Sequence, residues 1–313
     1  MATVVRSFAI QGIDGYPVDI EIKMLEGQPS ISIIGLGDQA VKEAAERIQA
    51  AIDESGYVFP KKRVIISLAP SDKKKSGSHF DLAMAVGVLC QNGDIGVKKL
   101  PDYGFIGELS LDGRLRACRG ILPMIIAGQK RGIKKIIVPE ANFKEASLVH
   151  GVEILGFYDL TGVIRYLEGK TTGIETHMEE NEKILEESER ILDFKDVKGQ
   201  DELIEAVVLA AAGGHNMLMV GEPGCGKTMI AQRIPTILPE MTEEECLEVT
   251  KIYSISGLLP NGHTLMKYRP FRAPHHNASL NALIGGGANA MPGEVSLAHN
   301  GVLFLDELAE FSR

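Results

Sequence analysis

The string Gly221-Glu222-Pro223-Gly224-Cys225-Gly226-Lys227-Thr228 constrains the fold of this chain more than any other part of it. It reads G-x-x-x-x-G-K-T, a pattern that works only between a buried strand, here the apolar run Asn216 to Val220, and the start of a helix. Glycines are needed because successive backbone amides must turn inward and approach phosphate oxygens without interference from a Cβ. The N-terminus of the following helix adds positive potential. Lys227 is positioned to reach the β- and γ-phosphates of a nucleotide, and the Thr228 hydroxyl to ligate Mg2+. Glu222, Pro223 and Cys225 in the loop and Met229 behind it complete the expected nucleotide-binding set.

A second element supports the first. Val302-Leu303-Phe304-Leu305-Asp306-Glu307 reads as a buried strand carrying two carboxylates at its C-terminal edge, where ligands of parallel sheets sit. Asp306 would hold Mg2+ and Glu307 would polarise the attacking water, which suits phosphoryl transfer, where catalysis is mostly positioning and charge stabilisation. An acidic pair after an apolar strand is commonly just a strand end; together with the phosphate loop it points to Mg-ATP hydrolysis, with Lys227 and Glu307 as the catalytic residues.

A length of 313 residues suits two domains at roughly 100 to 200 residues each. Charge divides the chain: residues 1–170 carry 22 Lys and Arg against 20 Asp and Glu, and residues 171–313 carry 11 against 22. A chain of net charge -9 is no generic polyanion binder, so contact with nucleic acid needs a local basic patch or assembly into a ring. Four widely spaced cysteines without a C-x-x-C pair exclude a disulfide framework and a cysteine-rich zinc site. The N-terminus lacks an apolar signal core and no apolar run reaches the ~18 residues of a membrane span, so the chain reads as cytoplasmic with no membrane partner.

In the first half, alternation over 3–10 and 18–25, the run 31–34 and the segment 63–69 predict strands. Val41, Ala44, Ala45, Ile48, Ala51 and Ile52 recur at helical spacing, with Asp38 as the N-cap and Gly56 as the stop. Further helices are expected at 81–89, 122–130, 143–149 and 160–167, further strands at 135–138 and 152–155, and a hairpin turning at Asp112-Gly113. Seven glutamates mark residues 171–192 as an acidic linker, part of which, from Glu179 onward, could form an exposed helix. Beyond it a helix is expected at 203–212.

The segments Asp193 to Gln200, His215 to Val220, Arg269 to His276, Ile284 to Gly287 and Pro292 to Gly301, taken with the loop and the acidic pair, resemble the ComM/YifB family of magnesium-chelatase-type AAA+ ATPases. Ser67-Leu68-Ala69-Pro70, Phe80-Asp81-Leu82-Ala83 and Phe105-Ile106-Gly107-Glu108-Leu109 extend the resemblance to that family's Lon-protease-like N-terminal domain. The fold class implied is α/β: a Lon-like α+β domain over 1–170, the linker, and the first part of a P-loop AAA+ parallel-sheet domain over 193–313. The resemblance further implies that Val197, Gly199 and Gln200 line the adenine. It implies a homo-hexameric ring in the complete protein, using ATP and Mg2+ and acting on DNA in branch migration or the uptake of transforming DNA. Lys267, Arg269 and Arg272 would face DNA from the insertion before the acidic pair, with ion pairing inside the fold an equal alternative. A chelatase-like motor that remodels a protein partner for metal insertion is the competing reading.

Two departures from the pattern matter. Where Lon proteases carry a nucleophilic serine and its lysine base, this chain carries His79 and Leu122, which cannot form that dyad. The sensor strand, lid and arginine finger of AAA+ sites are expected beyond Arg313, so the phosphate-loop and acidic-pair strands should be loose in this chain and its ATPase activity negligible. Three further features have bland readings. Gly35-Leu36-Gly37-Asp38-Gln39-Ala40 is read as a turn, His275-His276 and His299 as structural or polymer-contacting, and the basic runs at 73–75, 114–119 and 130–135 as solvated faces that could also meet DNA.

Overall fold

The computed structural model describes residues 2–171, 192–259, 265–287 and 290–311. The chain divides into two compact units, Met1–His177 with Ser254–Thr264, and Met178–Tyr253 with Leu265–Arg313. The acidic segment 172–191 lies outside the described residues.

The first unit is built on β1 (Thr3–Gln11), β2 (Asp14–Leu25), β3 (Ser30–Ile34), α1 (Gln39–Glu54), β4 (Arg63–Ala69), α2 (Asp81–Asn92), β5 (Tyr103–Phe105), the short hairpin β6 (Glu108–Leu109) and β7 (Leu115–Arg116), α3 (Ile121–Lys130), β8 (Lys135–Pro139), α4 (Phe143–Ala146), β9 (Glu153–Phe157) and α5 (Leu160–Leu167). Seven strands form one sheet in the order β3-β4-β2-β1-β5-β8-β9. The β1–β2 and β2–β4 pairs are antiparallel and the other four are parallel, so the sheet is mixed and mostly parallel.

Alternation drives this arrangement. Val18, Ile20 and Ile22 of β2 and Val64, Ile66 and Leu68 of β4 are fully buried on one face, over α2, whose residues from Asp81 to Cys90 are all buried. A helix hydrophobic all round belongs inside, and α2 is the centre of the core. Helix α1 buries Val41, Ala44, Ile48, Ala51 and Ile52, and Asp38 Oδ1 accepts from the Val41 amide at 3.0 Å as its N-cap. The glycine string before it is a turn: Gly35 sits at φ +113°, and a Cβ there would meet the Leu68 carbonyl oxygen at 2.3 Å.

The second unit contains α6 (Asp201–Gly213), α7 (Lys227–Ala231), α8 (Glu243–Ser256, its last turn assigned to the first unit), β10 (Phe271–Arg272), α9 (Leu280–Ile284), β11 (Gly285–Gly286), β12 (Met291–Pro292), α10 (Glu294–Leu297) and β13 (Val302–Leu303). Strands β10 and β13 pair in parallel, and β11 and β12 antiparallel. One expectation is corrected here: Asn216 to Val220 is not a strand but extended chain without ladder pairing, with Leu218 75% and Val220 90% exposed. The expected strand over 301–305 is reduced to Val302–Leu303. An apolar run becomes a strand only when a neighbour pairs with it, and none of the described strands lies against 216–220.

Candidate active site

The phosphate loop adopts the backbone its glycines permit. Gly224 and Gly226 lie at φ +81° and +89°, a region closed to most side chains, and a Cβ on Gly224 would project into open space. Helix α7 begins at Lys227, so the amides of Lys227 and Thr228 belong to the first turn, whose donors an α-helix leaves unsatisfied. The Lys227 ammonium lies across the loop, donating to the carbonyls of Gly221 at 2.9 Å and Glu222 at 3.0 Å, beside Cys225 Sγ.

The acidic pair meets this loop. Thr228 Oγ1 donates to Asp306 Oδ2 at 3.2 Å, across 78 residues of sequence. Asp306 reaches that point because β13 pairs with β10 and continues into it: Val302 and Phe304 amides donate to the carbonyls of Pro270 and Arg272, both at 2.8 Å. Gly301 permits the approach, since a Cβ there would stand 2.1 Å from the Pro270 carbonyl oxygen. Two hard oxygen donors beside an ammonium at the start of α7 fit Mg2+ and a polyphosphate, so the residues present suit the groups the motif implies.

Glu307 takes the left-handed conformation, φ +52°, with its amide donating to Asp306 Oδ1 at 3.0 Å. Its carboxylate lies 3.1 Å from His276 Nδ1, and the His275 and His276 ring centres lie 4.1 Å apart with the planes tilted by 38°. His299 pairs instead with Glu248 at 3.1 Å. Among the described residues no three His, Cys, Asp or Glu side chains gather as a metal nest.

Of the stretch expected along the adenine, Gln200 is brought to the loop, its side-chain amide donating to the Cys225 carbonyl at 3.3 Å. Val197 is half-buried and Gly199 is a turn residue at φ +69°; among the described residues neither is hydrogen-bonded to the loop. Arg233, which the motif reading did not single out, ties this segment to the loop helix: its guanidinium donates to the carbonyls of Asp193 at 3.0 Å and Met229 at 2.9 Å. Nothing in the sequence distinguished it from any other cation near a helix end. His276 was visible only as part of a histidine pair.

The three cations expected to face DNA differ. Arg272 holds Glu294 with a two-pronged pair at 2.6 and 2.7 Å, and Arg269 donates to the carbonyls of Pro239 and Asn300 and lies 3.6 Å from Glu245. Lys267 is exposed.

In the first unit, the two residues expected at the Lon dyad positions are a histidine and a buried leucine. His79 Nε2 lies 3.0 Å from the Phe8 carbonyl, and burial pulls its pKa down to about 4. The Leu122 amide donates to Glu145 at 3.2 Å. Ser78 hydrogen-bonds Glu108, and the buried Lys75 ammonium donates to the carbonyls of Pro70 and Lys73.

A family model described as magnesium chelatase, subunit ChlI, matches residues 193–313, and one described as subunit ChlI of Mg-chelatase matches residues 20–142. Protein YifB of Escherichia coli is 42% identical over 316 residues, covering 99% of this chain and 60% of YifB. The competence protein ComM of Haemophilus influenzae is 40% identical over 311 residues, covering 99% and 61%. A Lon protease of Rhizobium meliloti is 26% identical over 149 residues, 45% of this chain and 18% of the protease. Fold and site together define a magnesium-chelatase-like AAA+ protein with a Lon-like α/β domain. More narrowly, the chain belongs to the ComM/YifB family, and it spans about 60% of the length of the curated relatives it matches.

Proposed function

We propose that the second unit binds Mg-ATP and, in the complete protein, hydrolyses it to drive a homo-hexameric cytoplasmic motor that acts on DNA. The observation that carries the ATP reading is the 3.2 Å approach of Thr228 Oγ1 to Asp306 Oδ2, which brings the two hard ligands of the motif to one point at the helix N-terminus. Mg2+ would supply charge neutralisation between the phosphate oxygens. The chain's own residues do the rest. Lys227 exchanges its bonds to the Gly221 and Glu222 carbonyls for phosphate oxygens, the loop amides and the first turn of α7 donate to the polyphosphate, and Gln200 braces the loop from the nucleotide side. Glu307, oriented by His276, accepts the proton of the attacking water.

The DNA reading is supported by the likeness to a protein named for competence. Because Arg269 and Arg272 are engaged within the fold, the exposed Lys267 is the cation of these three best placed to meet DNA, and the first unit supplies further contacts. That unit serves as a proteolytically silent docking face.

Nucleotide affinity measured with Mg-ATP should fall roughly tenfold to a hundredfold in Lys227→Ala, since a charge-assisted bond is worth about 1.5 to 3 kcal/mol. Glu307→Gln, in a protein carried to the full length of its relatives, should bind ATP normally and turn it over far more slowly. Unchanged affinity in the first variant or normal turnover in the second would refute the assignment.

A further inference from the structure

The fold brings two of the basic runs together. Lys73, from the loop after β4, and Arg131, from the end of α3, line one open cleft of about 370 Å3 with Tyr16, Asp19 and Pro70. Arg6 flanks it, because Arg6 of β1 and Asp19 of β2 are direct cross-strand partners. Lys73 Nζ stands 4.5 Å from the centre of the Tyr16 ring, and the Tyr16 hydroxyl donates to the Lys74 carbonyl at 3.0 Å, which fixes the ring as a wall.

Within the cleft and at its edge, three cations face one carboxylate. Arg131 donates to Asp19 Oδ2 at 3.4 Å, Arg6 lies 3.8 Å from Asp19 Oδ1 and donates to the Pro101 carbonyl, and the Lys73 ammonium lies over the ring face. Asp19 Oδ1 is buried yet accepts no hydrogen bond, so Asp19 holds Arg6 by charge alone and Arg131 by one long hydrogen bond to Oδ2. Asp72, which acts on Tyr16 and Lys75 through space, and Asp38, which accepts from the Gly77 amide at 3.1 Å, are further acids at that loop. Two guanidiniums that share one carboxylate, an ammonium and an aromatic wall in an open cleft match the two faces of a single strand of nucleic acid, phosphate on one side and base on the other.

We propose that this cleft of the first unit binds the phosphodiester backbone of single-stranded nucleic acid, with Lys73, Arg131 and Arg6 as the phosphate contacts. This deepens the DNA reading above and is independent of the nucleotide site. Asp19 is the internal competitor: it occupies the guanidiniums until phosphate displaces it. A polymer is favoured over a free anion because the cleft is open rather than enclosed, so a chain can pass through it.

The test is anisotropy of a labelled oligothymidine with the 313-residue chain and no ATP, at several salt concentrations. Lys73→Ala and Arg131→Gln should each weaken binding several-fold and lower the log–log salt slope by about 0.7 per lost contact. Asp19→Asn should tighten binding, an outcome that damage to the fold would not produce, and circular dichroism should show all three folded. Equal binding and equal slopes across wild type and variants would overturn the cleft while leaving the DNA reading standing. Displacement by millimolar inorganic phosphate at constant ionic strength would overturn it in favour of a free-anion site. Absence of oligonucleotide binding by the wild type would overturn the cleft as well, the DNA reading falling only if a protein carried to the full length of its relatives also bound none; Mg-ATP binding, unchanged by these three substitutions, would still report on the nucleotide site.

Discussion

The two units solve the same problem, satisfying strand backbones, to different extents. In the first, seven strands pair in one sheet and both β2 and β4 bury an unbroken apolar face. In the second, the longest ladders are two residues long and the approach to the phosphate loop pairs with no strand among those described. Even so, the second unit assembles its site. Thr228 and Asp306 meet because a glycine lets one short ladder close tightly and because the loop follows its own glycine-determined path. Local chemistry can therefore place a site that the surrounding sheet does not yet support.

Hydrogen exchange gives the largest expected contrast. Residues Asp19 to Ile22 lie between paired strands on both sides of the sheet and their amides should open only with global unfolding, so protection of at least a thousandfold is expected from a stability of about 5 kcal/mol or more. Amides of Asn216 to Val220 should exchange at nearly the free-chain rate in the same 313-residue chain. Strong protection there would erase the contrast and place an unseen partner along that segment.

The next largest effect concerns what the packed unit buries. Asp81 at the start of α2 is 1% exposed at its side chain and is held by Arg47 with bonds of 2.7 and 3.1 Å, while the Leu109 amide donates to it at 3.3 Å. Arg47→Met would leave that carboxyl without its cation, a change that typically costs about 3 to 5 kcal/mol. Chemical denaturation should show the loss, and Mg-ATP affinity should not change. A loss below about 1 kcal/mol would mean that the first unit tolerates a buried unpaired carboxyl, and that its tightness has been overstated.

Much of the first unit was legible because its elements announce themselves by period. The six apolar positions of α1, the strand Arg63–Ala69 and the helix Leu160–Leu167 follow from spacing 3.6 or 2 and from caps that lie next to them in sequence. Asn216 to Val220 carries the same kind of signal and yet forms no strand, because pairing is a property of two segments and the run shows only one. The phosphate loop was legible because its chemistry is written in consecutive residues. The contact of Glu307 with His276 was not: it depends on a left-handed φ at Glu307 and on the path of a loop some thirty residues earlier, neither of which an Asp-Glu pair encodes. The cleft joining Lys73 to Arg131 was hidden for the same reason, since the runs lie far apart in sequence and only the sheet brings them together.

Acid should separate the units through groups found only in the first. His79 has its pKa pulled from 6.5 to about 4 by burial, so the folded state keeps it neutral. Its contribution is present above pH 6.5 and is lost as pH falls from there toward 4, amounting to on the order of 2 to 3 kcal/mol. Burial pushes Asp81 the other way, up to about 6 against the pull of Arg47. That group favours folding below its unfolded value of 3.8, and the benefit fades as pH rises through 6. The two partly cancel. His79→Gln should therefore flatten the acid side of a stability–pH curve, whereas Asp81→Asn should steepen it. Identical curves for wild type and both variants would show that neither group titrates with folding.

The smallest effect compares one substitution in both units. A Cβ on Gly15 would stand 2.1 Å from the Pro123 carbonyl oxygen, and one on Gly301 would stand the same distance from that of Pro270. Local geometry makes the two clashes equal, so any difference measures how far the surroundings can give. Gly15 lies in β2 with α3 against it, and moving either requires shifting a strand bonded over its length or a helix whose Ile121, Leu122, Met124 and Ile125 are fully buried. Gly15→Ala should accordingly cost about 1 to 3 kcal/mol, the usual range for overpacking where neighbours cannot move. Gly301 precedes a ladder of two residue pairs, which can splay for little energy, so Gly301→Ala should cost well under 1 kcal/mol of global stability. The splay has a local consequence, since β13 delivers Asp306 to Thr228: Mg2+ should support ATP binding less well in Gly301→Ala while binding measured without Mg2+ stays the same. Equal global losses from the two alanines, with no change in Mg2+ dependence, would show that the second unit holds its ladder as firmly as the first holds its sheet.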